Sequence, residues 1–339
     1  MKFDQEFEKE VVQAVQAFAK AVKANSNVDS NMGVLSELTS RLKLAQLDYW
    51  ERLIRDEFSS AIEIKTGYKW WPSLKPDRFL TWIDIFSWDG YSREKALRSL
   101  SGPVPNSFFF ALSLRRLNDW VPEVRTAARE RLPVIIEQSN PTDIVGALSA
   151  TLGNWESWGR MKESDKEALF QILINEHTFD AFIQHILTCP SGPMTSVLSQ
   201  LGRSATTDRY LTEISKNAIQ PSVRAKAYRS QLERKMKWLE GRQWKWIDKS
   251  YGVRRLVPKI SERKLSETPD FKSTLHAASE DNSSMVRRVA AELLIQNIET
   301  LGVDSSLSYA RKFSTDSSSS VSERGIFALR QLGADGESS

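Results

Sequence analysis

The sequence predicts an all-α protein assembled from short pairs of helices that stack on one another. Only 15 Gly and 12 Pro occur among the 339 residues, and they fall mostly between apolar stretches with helical spacing. Alternating apolar runs, which are typical of strands, are scarce. A short local pattern also recurs along the chain, which indicates repeated units rather than one compact core. We expect about 15 helices of ordinary length.

The composition narrows the class of protein. Cys189 is the single cysteine, so this chain alone cannot build a disulfide framework or a multi-cysteine zinc or iron–sulfur site. The first residues lack a hydrophobic signal core, and no apolar run reaches the roughly 18 residues that a membrane span needs. Because 40% of the residues are hydrophobic, the chain can fold. We therefore expect a soluble, cytoplasmic protein with no membrane partner.

Residues 1–74 form a predicted helical cap that lacks the repeat pattern. Apolar residues at steps of three and four indicate one amphipathic helix over 4–24. A second long helix is predicted from Leu35 to Ile54, after a polar loop at 25–33. The aromatic run 68–72 could present a hook to a partner protein, but we favour a structural role at the junction with the first repeat.

From residue 75 to residue 333 the predicted helices are shorter, and a local pattern recurs. Asp119 precedes Arg125 by six residues, and Asp281 precedes Arg287 by six. In both copies Val precedes the Arg directly, Ala follows it by three residues and Leu by seven. Partial copies are centred on Arg93, Arg224 and Ser322.

Each residue type in this pattern has a physical reason. Asp can accept hydrogen bonds from the free amides of a first helical turn, and Arg just inside the helix can reach an Asp of the same or the adjacent repeat. Val, Ala and Leu point to one side, where the small Ala permits close approach of a neighbouring helix. A helix pair with such an apolar face needs another pair to bury it, which is the logic of a solenoid.

The pattern resembles the HEAT repeats of the armadillo-like superfamily, whose second helix commonly carries such an Asp–Val-Arg–Ala–Leu series. The resemblance implies an α-solenoid over 75–333, although residues 141–205 depart from the pattern. Copies are 32 residues apart between Arg93 and Arg125, but 63 residues separate Arg224 from Arg287. The longer interval therefore holds an insertion or a degenerate unit. Residues 334–339 are expected to fray.

Charge is concentrated in residues 224–264. This segment contains fourteen Lys and Arg residues against four acidic ones, so that its formal charge is +10 while the whole chain carries only +4. Tryptophans are interleaved with the cations. The predicted binding residues are Arg234, Lys235, Lys237, Trp238, Arg242, Trp244, Lys245, Trp246, Lys249, Arg254 and Arg255.

Clustered cations beside planar aromatics suit nucleic acid, because Arg and Lys neutralise phosphates while indoles stack on unpaired bases. Gly241 would interrupt a helix here and permit a turn that projects Arg242 and Trp244 outward. Repeat insertions commonly carry binding function. Two other interpretations stay open: a solvated basic helix whose indoles pack into the solenoid, and a surface for an acidic protein partner.

The sequence offers little for catalysis. His177 and His185 are eight residues apart, which puts their side chains about two helical turns apart, and no phosphate-binding loop, dinucleotide fingerprint or nucleophile elbow occurs. We therefore expect no catalytic residue, no metal and no cofactor.

The predicted function is a non-catalytic scaffold that binds DNA or RNA, within a larger complex that supplies a protein partner. One alternative is a purely protein-binding adaptor, for instance an accessory subunit of a bacterial anti-phage system. Another alternative, suggested by the HEAT resemblance, is an alkylpurine DNA glycosylase.

Overall fold

The structure is a computed structural model that describes residues 5–62, 80–153, 155 and 158–334. Within these residues the chain forms seventeen α-helices and two strands, so the prediction of a mostly helical protein is confirmed. The prediction of an all-α protein is wrong, because part of the basic segment forms an antiparallel hairpin. The predicted cap boundary at 74, the aromatic run 68–72 and the tail 335–339 lie outside the described residues.

The chain divides into two compact units, residues 1–181 and 182–339. The first unit contains α1 (Gln5–Ala24), α2 (Val28–Ser40), α3 (Leu47–Ile62), α4 (Gly90–Ser99), α5 (Ser107–Arg115), α6 (Pro122–Gln138), α7 (Pro141–Leu152) and α8 (Glu163–Leu173). Helix α9 (Glu176–Thr188) begins in this unit and ends in the second.

The second unit continues with α10 (Met194–Leu201), α11 (Leu211–Asn217), α12 (Pro221–Glu233), β1 (Lys235–Asp248), β2 (Val253–Lys264), α13 (Phe271–Ser279), α14 (Ser284–Gln296), α15 (Ile298–Leu301), α16 (Val303–Ser314) and α17 (Ser319–Gln331). Short 3₁₀ turns occur at 44–46, 82–86, 116–118 and 205–210. The hairpin thus lies between α12 and α13, within the interval from Arg224 to Arg287 for which the sequence left open an insertion or a degenerate unit.

The N-terminal helices differ from the prediction in one respect. Helix α1 has the expected extent, but the predicted second helix is divided into α2 and α3. The hydroxyl of Thr39 donates to the Leu35 carbonyl at 2.7 Å, and that of Ser40 donates to the Glu37 carbonyl at 2.6 Å. Such side-chain hydrogen bonds compete with helix continuation, so α2 ends here. The predicted polar loop is also shorter than expected, since α2 begins at Val28.

The core of the first unit is centred on α5. The sequence Phe108-Phe109-Phe110 is almost completely buried, as are Ala111 and Leu112. This helix is apolar on all sides because other helices cover all of it. It contacts α3 and α7 as well as α6.

The repeat arginines make the same contacts at four positions. At Arg93, Arg125, Arg224 and Arg287, Nη1 donates to backbone carbonyls five and six residues earlier. Nε and Nη2 then form a two-point pair with the next repeat's carboxylate: Arg93 with Asp119, Arg224 with Asp281 and Arg287 with Asp316, at 2.6–2.9 Å. Arg125 instead lies 3.5 Å from Asp165.

These contacts show which Asp each arginine reaches, that of its own copy of the pattern or that of the adjacent copy, a choice that the sequence left open. At Arg93, Arg224 and Arg287 the guanidinium reaches the Asp of the following copy of the sequence pattern, while backbone carbonyls of its own copy are the other acceptors. Each arginine therefore fixes the loop before its own helix and ties that helix to a later one, α4 to α6, α6 to α8, α12 to α14 and α14 to α17. The first unit holds the steps that start from Arg93 and Arg125, and the second unit holds those from Arg224 and Arg287.

Candidate functional site

The hairpin is fixed at its root by the second unit. Met236 is fully buried, and its side chain lies against Gly202, just after α10. Arg263 on β2 forms a two-point pair with the Asp208 carboxylate at 2.7 and 2.9 Å, and its guanidinium also donates to the carbonyls of residues 202–204. The root is therefore a rigid base rather than a flexible tether.

Two side chains from the helices hold the backbone of β1 at the same place. Gln200 donates to the Leu239 carbonyl at 3.0 Å, and Lys226 donates to the Lys237 carbonyl at 2.6 Å. Burial lowers the pKa of Lys226 to about 8, and it outweighs the opposing effect of the Glu233 carboxylate. The two hydrogen bonds, from α10 and from α12, hold β1 against these helices.

Many cations near the root are neutralised by acidic neighbours. Lys235 pairs with Glu262 at 2.7 Å, Lys237 with Glu233 at 2.5 Å and Lys259 with Glu240 at 2.8 Å. Arg224, Arg229 and Arg263 also have carboxylate partners. These six residues therefore contribute to the fold rather than to an open anion site, and Lys235 and Lys237 are among the predicted binding residues.

The other predicted residues at the root are also engaged. Arg234 ends α12 in a left-handed conformation with φ of 56°, and its carbonyl accepts a hydrogen bond from the Leu265 amide. Trp238 lies half-buried beneath the Arg203 guanidinium, 5.8 Å from the ring centroid, and its indole nitrogen is buried without a hydrogen-bond partner. The structure thus separates Trp238 from the two exposed indoles further along β1.

Beyond the root, residues 241–258 form what we call the outer arm. It carries the remaining seven predicted residues, which are Arg242, Trp244, Lys245, Trp246, Lys249, Arg254 and Arg255, and all of them are exposed. None of the five cations has a carboxylate partner among the residues that the structure describes. Eight strand residues at about 3.3 Å each give the arm a length of roughly 25 Å.

The pairing register gives the outer arm two different faces. Trp244 pairs with Leu256 and Trp246 with Arg254, and because side chains alternate along a strand, these four lie on one side. Arg242 and Pro258 form the next pair on that side. We call this set of six residues the indole face.

The opposite face is cationic and carries no aromatic residue. Gln243 pairs with Val257 there, and Lys245 lies directly opposite Arg255. Like charges in one cross-strand pair repel each other. No described acidic side chain forms an ion pair with either of them. The pair therefore favours an anion from outside the chain.

The exposed indoles have a defined arrangement. Trp244 is 59% exposed and Trp246 is 51% exposed. The Arg254 guanidinium lies over the Trp244 ring, 4.7 Å from its centroid, which is a cation–π contact between two planar groups. The arm therefore presents flat π surfaces beside positive charge.

Several features of the arm discourage edge pairing with another strand. The register shifts between Leu239 and Gly241 and again between Trp246 and Asp248, so two bulges interrupt the edge of β1. Pro258 lacks an amide donor on β2. Bulges, proline and edge cations are the usual means by which proteins prevent strand addition. The side-chain faces, rather than the edges, are the surfaces suited to binding.

The turn at the tip is specified by its own sequence. The Asp248 carboxylate accepts hydrogen bonds from the amides of Ser250 and Tyr251 at 2.8 and 3.2 Å, and Gly252 has a φ of +65°. An Asp that accepts from the amide two residues on, followed by a glycine, is a turn signal that could have revealed the hairpin. Gly241 does not end a helix, as the sequence suggested, but belongs to a bulge with a φ of +151°.

His177, His185 and Cys189 lie outside the hairpin. The His177 ring contacts the Ser139 carbonyl at 3.1 Å, and burial lowers the pKa of His185. The thiol of Cys189 donates to the Ser191 carbonyl. In the described part of the chain, no three His, Cys, Asp or Glu side chains are grouped closely enough to hold a metal ion.

Two further results concern the chain as a whole. None of the helices between residues 5 and 334 that the structure describes has the length and apolarity required to span a bilayer. Comparison with protein-family models, with curated proteins and with solved structures finds no match to this chain.

Proposed function

We propose that this protein is a non-catalytic scaffold of HEAT-like helix pairs that binds nucleic acid through the outer arm. The observation that carries the proposal is the combination of five exposed, unneutralised cations with two exposed indoles on one anchored hairpin. Phosphates would neutralise the cations and release counterions. The indoles would contact the bases.

The repeated arginine contacts support the scaffold part of the proposal. Arg93, Arg224 and Arg287 each join their own helix to the carboxylate of the following repeat with the same geometry. A recurring contact of this kind is what stacked helix pairs require, because every pair must fix its position against the next. The HEAT-like assignment rests on the recurrence of these contacts and on the recurring Asp–Val-Arg–Ala–Leu pattern in the sequence.

Nucleic acid is favoured over an acidic protein partner by the flat surfaces of the arm. Carboxylates alone would satisfy the cations, but they would leave Trp244 and Trp246 without a matching group. Nucleic acid supplies both phosphates and planar bases. A protein partner in a larger complex remains compatible with the scaffold, since the arm occupies only part of the second unit.

The proposal is tested by measuring binding of a fluorescent mixed-sequence oligonucleotide by anisotropy at several salt concentrations. The quadruple variant in which Arg242, Lys245, Arg254 and Arg255 are replaced by Ala should bind at least tenfold more weakly. Its log–log salt slope should fall by roughly 0.7 for each lost contact to a single strand, or roughly 0.9 for a duplex.

A matched control removes four exposed lysines of the first unit, Lys9, Lys20, Lys23 and Lys43. This control changes the net charge equally, so it should leave affinity within about twofold if binding is local rather than a response to total charge. Equal losses in both variants would contradict the proposal. Competition by polyglutamate as effective as that by unlabelled oligonucleotide would favour the acidic-protein alternative.

A further inference from the structure

The indole face indicates whether the outer arm binds an unpaired strand or a duplex. This inference rests on the proposed function. Trp244 and Trp246 are two residues apart on β1, so they project from the same side and lie about 7 Å apart along the strand. Both rings are more than half exposed. Two adjacent indoles left in water on a protruding strand mark a contact surface rather than part of a core.

The contact between Arg254 and Trp244 shows what kind of group this face accepts. The guanidinium is planar, and it already occupies a position over the indole ring. Unpaired bases stack both on aromatic rings and on Arg guanidinium planes. The pair is thus a platform on which a further flat group can stack, and Trp246 provides a second platform beside it.

A duplex would make poor use of this platform. Its bases are already stacked on one another, and exposing one costs a few kcal/mol. Recognition in a duplex groove proceeds through hydrogen bonds to base edges, for which an indole has only one donor. Unpaired bases, by contrast, have free π faces that any aromatic side chain can cover.

The cations are placed to hold the backbone of such a strand. Arg242 and Arg254 lie on the indole face itself, next to the rings. Lys245 and Arg255, opposed on the other face, repel each other until an anion neutralises them. We infer that the outer arm binds an unpaired DNA or RNA strand, with its bases stacked on Trp244 and Trp246 and its phosphates held by Arg242 and Arg254 on the same face.

The test compares three probes on the full chain by fluorescence anisotropy. The probes are an oligothymidylate of about 15 nucleotides, a base-free oligomer with the same number of phosphates, and a duplex of equal length. The variants are Trp244→Ala and Trp246→Ala. The control is Trp120→Ala, which removes an indole of the first unit that is 72% exposed.

We expect the wild-type chain to bind oligothymidylate more tightly than the other two probes. Each arm variant should weaken oligothymidylate binding by about fivefold or more, because one base–aromatic stack contributes on that order. Neither variant should change affinity for the base-free oligomer, and Trp120→Ala should change nothing. An oligouridylate probe then distinguishes RNA from DNA as the ligand. Tighter binding of either oligomer supports the inference.

Two outcomes overturn the inference while leaving the proposed function in place. One is equal binding of the base-free oligomer and oligothymidylate, and the other is a duplex that binds more tightly while both Trp variants behave as the wild type. In either case the quadruple cation variant would still bind weakly. If none of the probes binds, the proposed function itself fails. Because both indoles are exposed, loss of folding does not obscure these results, and circular dichroism of the variants confirms this.

Discussion

Two arginines on α4 illustrate how the environment of a residue decides what it contributes. Arg93 is almost completely buried and forms a two-point pair with the buried Asp119. Arg98, one and a half turns later, is exposed and pairs with the carboxylates of Glu94 and Glu130. A buried pair that loses one partner leaves an uncompensated charge, whereas an exposed pair is screened by water.

We therefore expect Arg93→Met to lower the free energy of unfolding by about 3 kcal/mol. Arg93→Lys should also be destabilising, because an ammonium cannot reproduce the planar two-point contact. The matched change Arg98→Met should cost less than about 1 kcal/mol. Urea-induced unfolding followed by circular dichroism measures all three, and similar losses at both positions would show that Arg93 has no special role in joining α4 to the start of α6.

At the residue scale the sequence predicted these arginines well. The spacing of the sequence pattern was enough to identify Arg93, Arg125, Arg224 and Arg287. One set of contacts that these arginines make is local, because it joins each of them to backbone carbonyls five and six residues earlier. The acceptor was harder to predict, since the spacing is compatible with a carboxylate of the same repeat or of the next. Only the packing of successive helices brings Arg287 to Asp316.

At the scale of elements, the hairpin is what the sequence did not reveal. Strands are normally recognised by alternating apolar and polar residues, but the outer arm is exposed on both faces and so has no buried side to mark. Pairing also joins residues as distant as Lys235 and Lys264, which no local window contains. The signals that were present, Trp244 and Trp246 at a spacing of two and the turn from Asp248 to Gly252, are brief.

Seven of the eleven residues that we predicted for binding nevertheless lie together on the outer arm. Composition identified the segment without regard to its secondary structure, because charge and aromatic content do not depend on it. Composition could not distinguish cations that have carboxylate partners, such as Lys235 and Lys237, from free ones such as Lys245. That distinction depends on cross-strand neighbours and on the helices that hold the root.

The packing of α16 against α17 provides a prediction about a helix pair. Gly325 takes the place of the small Ala in the repeat pattern, and a Cβ at this position would lie 2.2 Å from the Ser314 backbone nitrogen. We expect Gly325→Ala to destabilise the protein by at least about 2 kcal/mol, although alanine is the better helix former.

The control for this substitution is Gly33→Ala in α2. Nothing lies within 4 Å of a Cβ built there, so the change should stabilise the protein by about 0.5–1 kcal/mol through helix propensity alone. Opposite signs for the two glycines, measured by urea unfolding, are the expected result. A neutral or stabilising Gly325→Ala would mean that the two helices can separate at little cost.

At the scale of the whole molecule, the exposed positive charge and the buried core lie in different parts of the chain. The chain has a formal net charge of +4, and the outer arm alone holds five cations against one carboxylate, that of Asp248. The helices supply the buried core of each unit, while the outer arm contributes exposed residues. Stability and the proposed binding function are therefore carried by different parts of the chain.

This separation predicts the properties of a chain that lacks the outer arm. Gly241 and Lys259 are cross-strand partners, so residues 242–258 can be replaced by Asn-Gly, a pair that favours a two-residue hairpin turn. The deletion removes five cations and one carboxylate, and the formal net charge falls from +4 to zero. Oligonucleotide binding should be lost, while the free energy of unfolding should change by no more than about 0.5 kcal/mol because none of the removed residues is buried. Loss of the helical circular dichroism signal in this variant would show that the arm is part of the fold, and retained binding would show that the nucleic acid contacts another surface.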